Sequence, residues 1–333
     1  MSNSDSQPPN KSFKGSAIYL AAIVAALLLV IAGIEVVRRL KAPADMPTTI
    51  PATAKSFPRE LRDARGDSLV IPGLPQRIVS QTLGTDEILL VICPTERIVA
   101  LSNFAEDGNY SNAVEAARRI PGRTTQDAEQ ILQFKPDLIF VASYSRAETL
   151  ELLKASRAPV FRFANFDSIA DIKSNIQTVG YATGTDDAAE KLIRQMDEDL
   201  AAVRARIPKN QSPARVMSYD QLGYTAGANT IFDDVVRSAG AVNVCAERGI
   251  KGFVQLNSEK ILEWQPDFII TSANQGKEMT MHDKLLQDPA VANSKAGRGR
   301  RIIVIDNRHF LTVSQHVVRF VDDLVEGIYG NRK

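Results

Sequence analysis

Two glutamates hold the same place in two copies of one pattern. Residues 129–140 read EQILQFKPDLIF and residues 259–270 read EKILEWQPDFII, with Glu, Ile, Leu, Pro, Asp and Ile shared. Each copy predicts a short helix that stops before Pro136 or Pro266, because proline disfavours helical geometry in the residue before it. Asp127 and Asn257 are the expected N-caps, which puts Glu129 and Glu259 at the second helical position. A first-turn acid complements the helix dipole by about 0.3–1 kcal/mol. Its recurrence in both halves also supplies two exposed carboxylates that a basic, pseudo-symmetric partner could grip. Other side chains offer binding chemistry. Arg146 and Arg308 carry forked donors suited to carboxylate or catecholate groups. Tyr144, Tyr224 and His309 are ligand types that can hold iron. Phe104, Phe253 and Phe310 offer flat apolar surface, and Gln81, Thr82, Asn103 and Asn274 offer neutral hydrogen bonds.

Catalytic and nucleotide-binding patterns are weak. The run Gly223-Tyr224-Thr225-Ala226-Gly227 copies the outline of a nucleophile elbow, with Thr where Ser is needed. No Walker loop and no Gly-x-Gly-x-x-Gly occurs. His282, His309 and His316 have no close ligand spacing, and Cys93 and Cys245 are too far apart to read as a zinc site. The expectation is a binding protein without catalytic activity or a cofactor of its own. A formal net charge of +1 gives no general attraction to nucleic acid.

The elements that must position these residues follow from periodicity. Apolar runs at 77–80, 97–101, 137–142 and 159–163 alternate with helical stretches at 85–92, 127–134 and 148–155. The same style resumes at 214 and continues through 267–273 and 301–306. This alternation predicts an α/β fold with parallel sheets in two Rossmann-like lobes. Between them, Ala189, Leu192, Ile193, Met196, Leu200, Val203 and Ile207 recur at helical spacing. One long helix of about 34 Å is expected to bridge the lobes and to limit their relative motion. Ligands of open α/β sheets meet the loops beyond the carboxyl ends of the strands. Those loops carry Gln81, Thr82, Asn103, Phe104, Tyr144 and Arg146 in the first lobe. In the second they carry Tyr224, Phe253, Asn274, Arg308, His309 and Phe310.

The organisation expected is a polar cytoplasmic tail at 1–16, an apolar anchor or signal at 17–37 and a Pro- and Thr-rich linker at 38–58. Then come an N-terminal lobe at 59–183, the bridging helix at 184–208 and a C-terminal lobe at 209–333. The uncharged stretch 17–34 would make a helix of about 27 Å, close to the thickness of a hydrocarbon core. An uncleaved single-span anchor is the first reading, a cleaved signal the second. Either puts the globular region outside the cytoplasm.

The stretches 59–80, 85–102, 128–140, 223–244 and 258–270, in this order and spacing, resemble the periplasmic binding proteins that serve ABC importers of iron-siderophores, haem and cobalamin. The resemblance covers nearly everything after residue 59. It implies two lobes joined by one rigid helix, a ligand in the cleft between them, and docking on a permease through Glu129 and Glu259. It also implies an ATPase behind the permease, and aromatic rings against ligand at Tyr224 and Phe253. The run Ser80-Gln81-Thr82-Leu83-Gly84-Thr85-Asp86-Glu87 departs from the family's usual Ser-Pro or Ser-x-x-x-Thr-Glu run. The chain is expected to be a monomer on the periplasmic side of the inner membrane. A membrane-anchored sensor using the same cleft, an esterase-like enzyme at Thr225 and a bare metal-ion binder are the other readings.

Overall fold

The computed structural model describes residues 56–330 except 64, 65, 126, 144 and 157. The tail and the apolar stretch, most of the linker, and Tyr144 lie outside the described residues. No helix among the described residues is long and apolar enough to cross a membrane.

An antiparallel hairpin, β1 (Arg59–Arg62) and β2 (Ser68–Ile71), opens the described chain. Leu61 and Ile71 anchor it in the core. Lobe one follows as β3 (Ile78–Ser80), β4 (Ile98–Ser102), β5 (Gly122–Thr124), β6 (Leu138–Ala142) and β7 (Val160–Phe163). All five run parallel in the order β5-β4-β3-β6-β7. Lobe two contains β8 (Arg215–Ser218), β9 (Tyr224–Ala226), β10 (Val242–Asn243), β11 (Phe253–Gln255), β12 (Phe268–Ala273) and β13 (Ile302–Asp306). Its main sheet is parallel, in the order β10-β8-β12-β13. The strands β4-β3-β6-β7 and β10-β8-β12-β13 therefore repeat one order, second-first-third-fourth. The strands are almost wholly buried, as parallel strands covered by helices on both faces must be.

The sequence repeat has a structural cause. In lobe one the Asp137 carboxylate accepts the main-chain N–H groups of Gln76 and Arg77, at 2.7 and 2.8 Å. The Arg77 guanidinium donates in return to the carbonyls of Phe134 and Lys135. In lobe two Asp267 accepts the Arg215 N–H at 2.9 Å, and Arg215 donates to the carbonyl of Trp264 at 3.0 Å. Each lobe thus sets its third strand against its first with the same Arg–Asp exchange. Each repeat helix also ends in a non-glycine residue with left-handed backbone, Lys135 and Gln265, both at φ 45. These two residues swing the chain out of the helix and into the proline.

The bridging helix runs from Asp186 to Ala205, 20 residues. Ala189, Met196, Leu200 and Val203 are buried on one face, with Leu192, Ile193 and Ile207 partly buried beside them. That face meets the helix Ile169–Thr183 and the C-terminal helix Val317–Tyr329. The start of the bridging helix is pinned by Arg59, which is 2% exposed. Its guanidinium donates to Asp186 Oδ2 at 2.7 Å and to the Tyr181 carbonyl at 2.6 Å. It lies between the rings of Phe57 and Tyr181, 4.8 and 4.7 Å from their centroids.

Candidate functional site

In a strand order of second-first-third, the loops after the first and third strands diverge and leave a crevice at the carboxyl end of the sheet. In lobe one that crevice lies beyond β3 and β6, where Gln81, Ser143 and Arg146 stand. In lobe two it lies beyond β8 and β12, where Asp220 and Asn274 stand. Gln81 is fixed there by its N–H on the Phe140 carbonyl and its Nε2 on the Thr125 carbonyl at 2.6 Å. Arg146 is exposed and begins the helix Ala147–Ala155. Asn103 and Phe104 sit on a single 3₁₀ turn after β4. The Phe104 ring is 40% exposed and meets Tyr110 edge to face at 6.2 Å. Tyr110 escaped sequence reasoning; an aromatic residue in the turn-rich run Asp107-Gly108-Asn109-Tyr110 was the available signal.

Lobe two presents its rings on a ribbon. β9 and β11 pair antiparallel, with Tyr224 opposite Gln255 and Ala226 opposite Phe253. Cross-strand partners share a face and so do residues two apart, so Tyr224 and Phe253 stand diagonally on one face. Phe253 is 41% exposed. The turn before the ribbon is built by Asp220, whose Oδ1 accepts the N–H groups of Leu222 and Tyr224, each at 2.8 Å. Gly223 is required in that turn: its φ is 82, and a Cβ there would stand 2.9 Å from the Leu256 carbonyl oxygen. Burial pushes the Asp220 carboxyl above its usual pKa, against the pull of these backbone donors.

The loop after β13 divides the residues expected from it. Asn307, which sequence reasoning did not single out, donates to Asn274 Oδ1 at 2.5 Å and ties that candidate to the turn after β13. Arg308 forks onto Asp306, with Nε on Oδ1 at 3.0 Å and Nη2 on Oδ2 at 2.6 Å. Burial opposes ionisation of Asp306, yet Arg308 holds it below the ordinary carboxylate pKa. His309 Nδ1 instead bonds Asp323 Oδ2 on the C-terminal helix at 2.6 Å. Phe310 packs against Phe320 and Phe232, at centroid distances of 5.0 and 6.1 Å. Both residues are therefore engaged by the body of the protein. Thr82 is likewise a structural residue, 4% exposed. It caps the helix Leu83–Ile92 by accepting the Thr85 N–H at 3.2 Å, and this cap starts the helix two residues before the predicted position 85.

The docking candidates lie elsewhere and are both exposed. Asp127 accepts the N–H groups of Glu129 and Gln130 and caps the helix Ala128–Gln133. Asn257 accepts the Glu259 N–H at 3.1 Å at the head of the helix Glu259–Trp264. Thr225 is buried, and its hydroxyl meets Ser218 Oγ at 3.3 Å and Cys245 Sγ at 3.0 Å rather than a histidine. A surface hollow of about 630 Å³ lies away from the crevices, at the amino ends of the lobe-one strands beside Arg77, Arg119 and Phe134.

The match to known proteins spans both lobes. The family described as periplasmic binding protein matches residues 78–309, from the first strand of lobe one to the turn after β13. The chain belongs to this family. A cobalamin-binding protein of Halobacterium salinarum is 24% identical over 277 residues, covering 81% of this chain and 73% of its own. An uncharacterized ABC transporter substrate-binding lipoprotein of Bacillus subtilis, YvrC, is 23% identical over 282 residues, covering 82% and 86%. Among solved structures, the periplasmic heme-binding protein RhuT from Roseiflexus sp. RS-1, in apo form, superposes with a TM-score of 0.66 at 28% identity. It covers 76% of this chain and 98% of its own. As in other periplasmic binding proteins, the function of the chain is to bind a solute.

Proposed function

We propose that this periplasmic binding protein delivers a metal tetrapyrrole, haem or a corrinoid, to the permease of an ABC importer. The observation that carries the reading is a pair of aromatic surfaces beyond the carboxyl ends of the two sheets, each made of one exposed phenylalanine beside one half-buried tyrosine. These are Phe104 with Tyr110 on lobe one and Tyr224 with Phe253 on lobe two. A large flat macrocycle gains most from aromatic faces with a few polar groups at its edge, and Gln81, Arg146 and Asn274 supply those groups. The relatives named for cobalamin and heme support the same class. An anionic siderophore would draw on positive charge in the cleft, where Arg308 is neutralised by Asp306 and, of the cleft candidates, only the exposed Arg146 is left to supply it. A bare metal ion would need converging ligands, and among the described residues no three of His, Cys, Asp and Glu converge. In this reading residues 17–37 tether the lobes to the outer face of the inner membrane, and the protein acts as a monomer. Glu129 and Glu259 dock, one on each half of the permease.

The test is a visible absorption titration of the full chain with hemin, cyanocobalamin and a ferric siderophore. Saturable binding of hemin or cyanocobalamin at one equivalent is expected, weakened about tenfold or more by Phe253→Ala, the scale of one buried aromatic contact. Saturation by the siderophore alone overturns the tetrapyrrole reading.

A further inference from the structure

One carboxylate joins the two lobes. Glu87 lies on the first helix of lobe one and is 1% exposed. Its Oε1 accepts from Asn112, from the main-chain N–H at 2.7 Å and from Nδ2 at 3.2 Å. Its Oε2 accepts from the hydroxyls of Ser314 and Thr312, in the segment that leaves β13 of lobe two. The Glu87 carbonyl takes Gln315 Nε2 at 3.0 Å. Asn112 adds a further crossing, from Nδ2 to the Arg308 carbonyl at 2.8 Å. The approach is close: a Cβ on Gly84, one turn earlier on the same helix, would stand 2.9 Å from Val313 Cγ2 and 3.1 Å from the Val313 carbonyl oxygen. The partners are separated by up to 228 residues in sequence. Among the described residues no strand pairing joins them; side chains do.

We propose that Glu87 is a positioning residue that clamps the segment 308–315 to lobe one and so fixes the spacing of the lobes on either side of the ligand. A buried carboxylate is stable only when its oxygens are filled by donors, and half of these donors come from the opposite lobe. Separating the lobes would strip Oε2 of Ser314 and Thr312 while Oε1 kept Asn112, and a half-satisfied buried carboxylate makes opening costly. The same segment carries Arg308 and follows Asn307, so the clamp also sets where lobe two presents its polar groups. The consequence for ligand rests on the tetrapyrrole reading above; the clamp itself does not.

The experiment reads the two separately. Spin labels are attached at Glu129→Cys and Glu259→Cys in the full chain. Both sites are exposed and lie on opposite lobes, and the native Cys93 and Cys245 are buried. The inter-label distance distribution is expected to be narrow in this background and at least about twofold broader with Glu87→Ala, since lost anchoring bonds release rigid-body motion. Glu87→Gln, which keeps an acceptor for Asn112, should restore most of the narrowness. Ser314→Ala, which removes a single donor, should broaden it to an intermediate degree and covers the case in which Glu87→Ala fails to fold. Release of bound hemin or cyanocobalamin should accelerate about tenfold in Glu87→Ala, the scale of one charge-assisted hydrogen bond. Unchanged widths in both Glu87→Ala and Ser314→Ala overturn the clamp. Broadened widths with unchanged release overturn its role in holding ligand. Broadened widths in a protein that binds neither probe support the clamp and sink the tetrapyrrole reading.

Discussion

Asp86 stands next to Glu87 in the same helix and is fully buried. It accepts from Ser102, from the main-chain N–H at 3.2 Å and from Oγ at 2.5 Å. Burial pushes its carboxyl up to about 7, well above the ordinary aspartate value, with the serine donors pulling the other way. Its folded form therefore holds a proton more tightly than the unfolded chain does. The stabilisation this brings is complete below about pH 4 and is lost as pH rises through about 7. Stability measured by urea unfolding should fall between pH 5 and pH 8. Asp86→Asn should remove much of that slope, by an amount of a few kcal/mol at most; an unchanged slope would refute the assignment. Sequence reading missed this residue's role. The expectation put Gln81 and Thr82 on the ligand face, whereas Thr82, Asp86 and Glu87 are all buried. Spacing marks a helix and its apolar side, but it does not reveal which polar side chains the tertiary fold will bury. His309 and Phe310 went the same way: correctly expected at the carboxyl end of the last strand, they are held by Asp323 and by Phe320 and Phe232.

Among the elements, the repeat was the most legible feature, because Pro136 with Asp137 and Pro266 with Asp267 mark helix ends and strand starts directly. The strand runs around them lie within a residue of the observed limits. Less visible were β5, the two-residue β10, and the β9–β11 ribbon, which are too short to carry a period. The left-handed residues were hidden too, since Lys135 and Gln265 are not types that announce positive φ. They make a sharp prediction. A left-handed backbone costs an ordinary side chain about 1–2 kcal/mol, which glycine avoids at an entropic cost of about 0.5–1 kcal/mol. Lys135→Gly should thus stay within about 1 kcal/mol of the unsubstituted protein, while Lys135→Val should lose about 1–2 kcal/mol. Equal loss in both, by chemical denaturation, would mean that the lysine side chain rather than its backbone matters there. Each repeat helix also lifts one glutamate to the surface. In a transport assay with the cognate permease, Glu129→Ala and Glu259→Ala should abolish uptake with solution affinity for ligand almost unchanged. A large loss of affinity in either would contradict docking.

At the scale of the molecule, the two-lobed plan followed from the alternation of strands and helices and from the apolar stripe on the bridging helix. The latch between Glu87 and residues 312–314 did not, because nothing local connects positions so far apart in the chain. If residues 17–37 tether the protein as proposed, the fold determines where a pull from the membrane would be felt. Whatever precedes residue 56, the polypeptide enters lobe one at Phe57 and Arg59, and the guanidinium wedged between two rings is fastened to the first residue of the bridging rod. Tension on a leash would therefore load lobe one and the head of the rod together. Lobe two would feel that load through the rod and through the bonds that Glu87 and Asn112 make to residues 308–315.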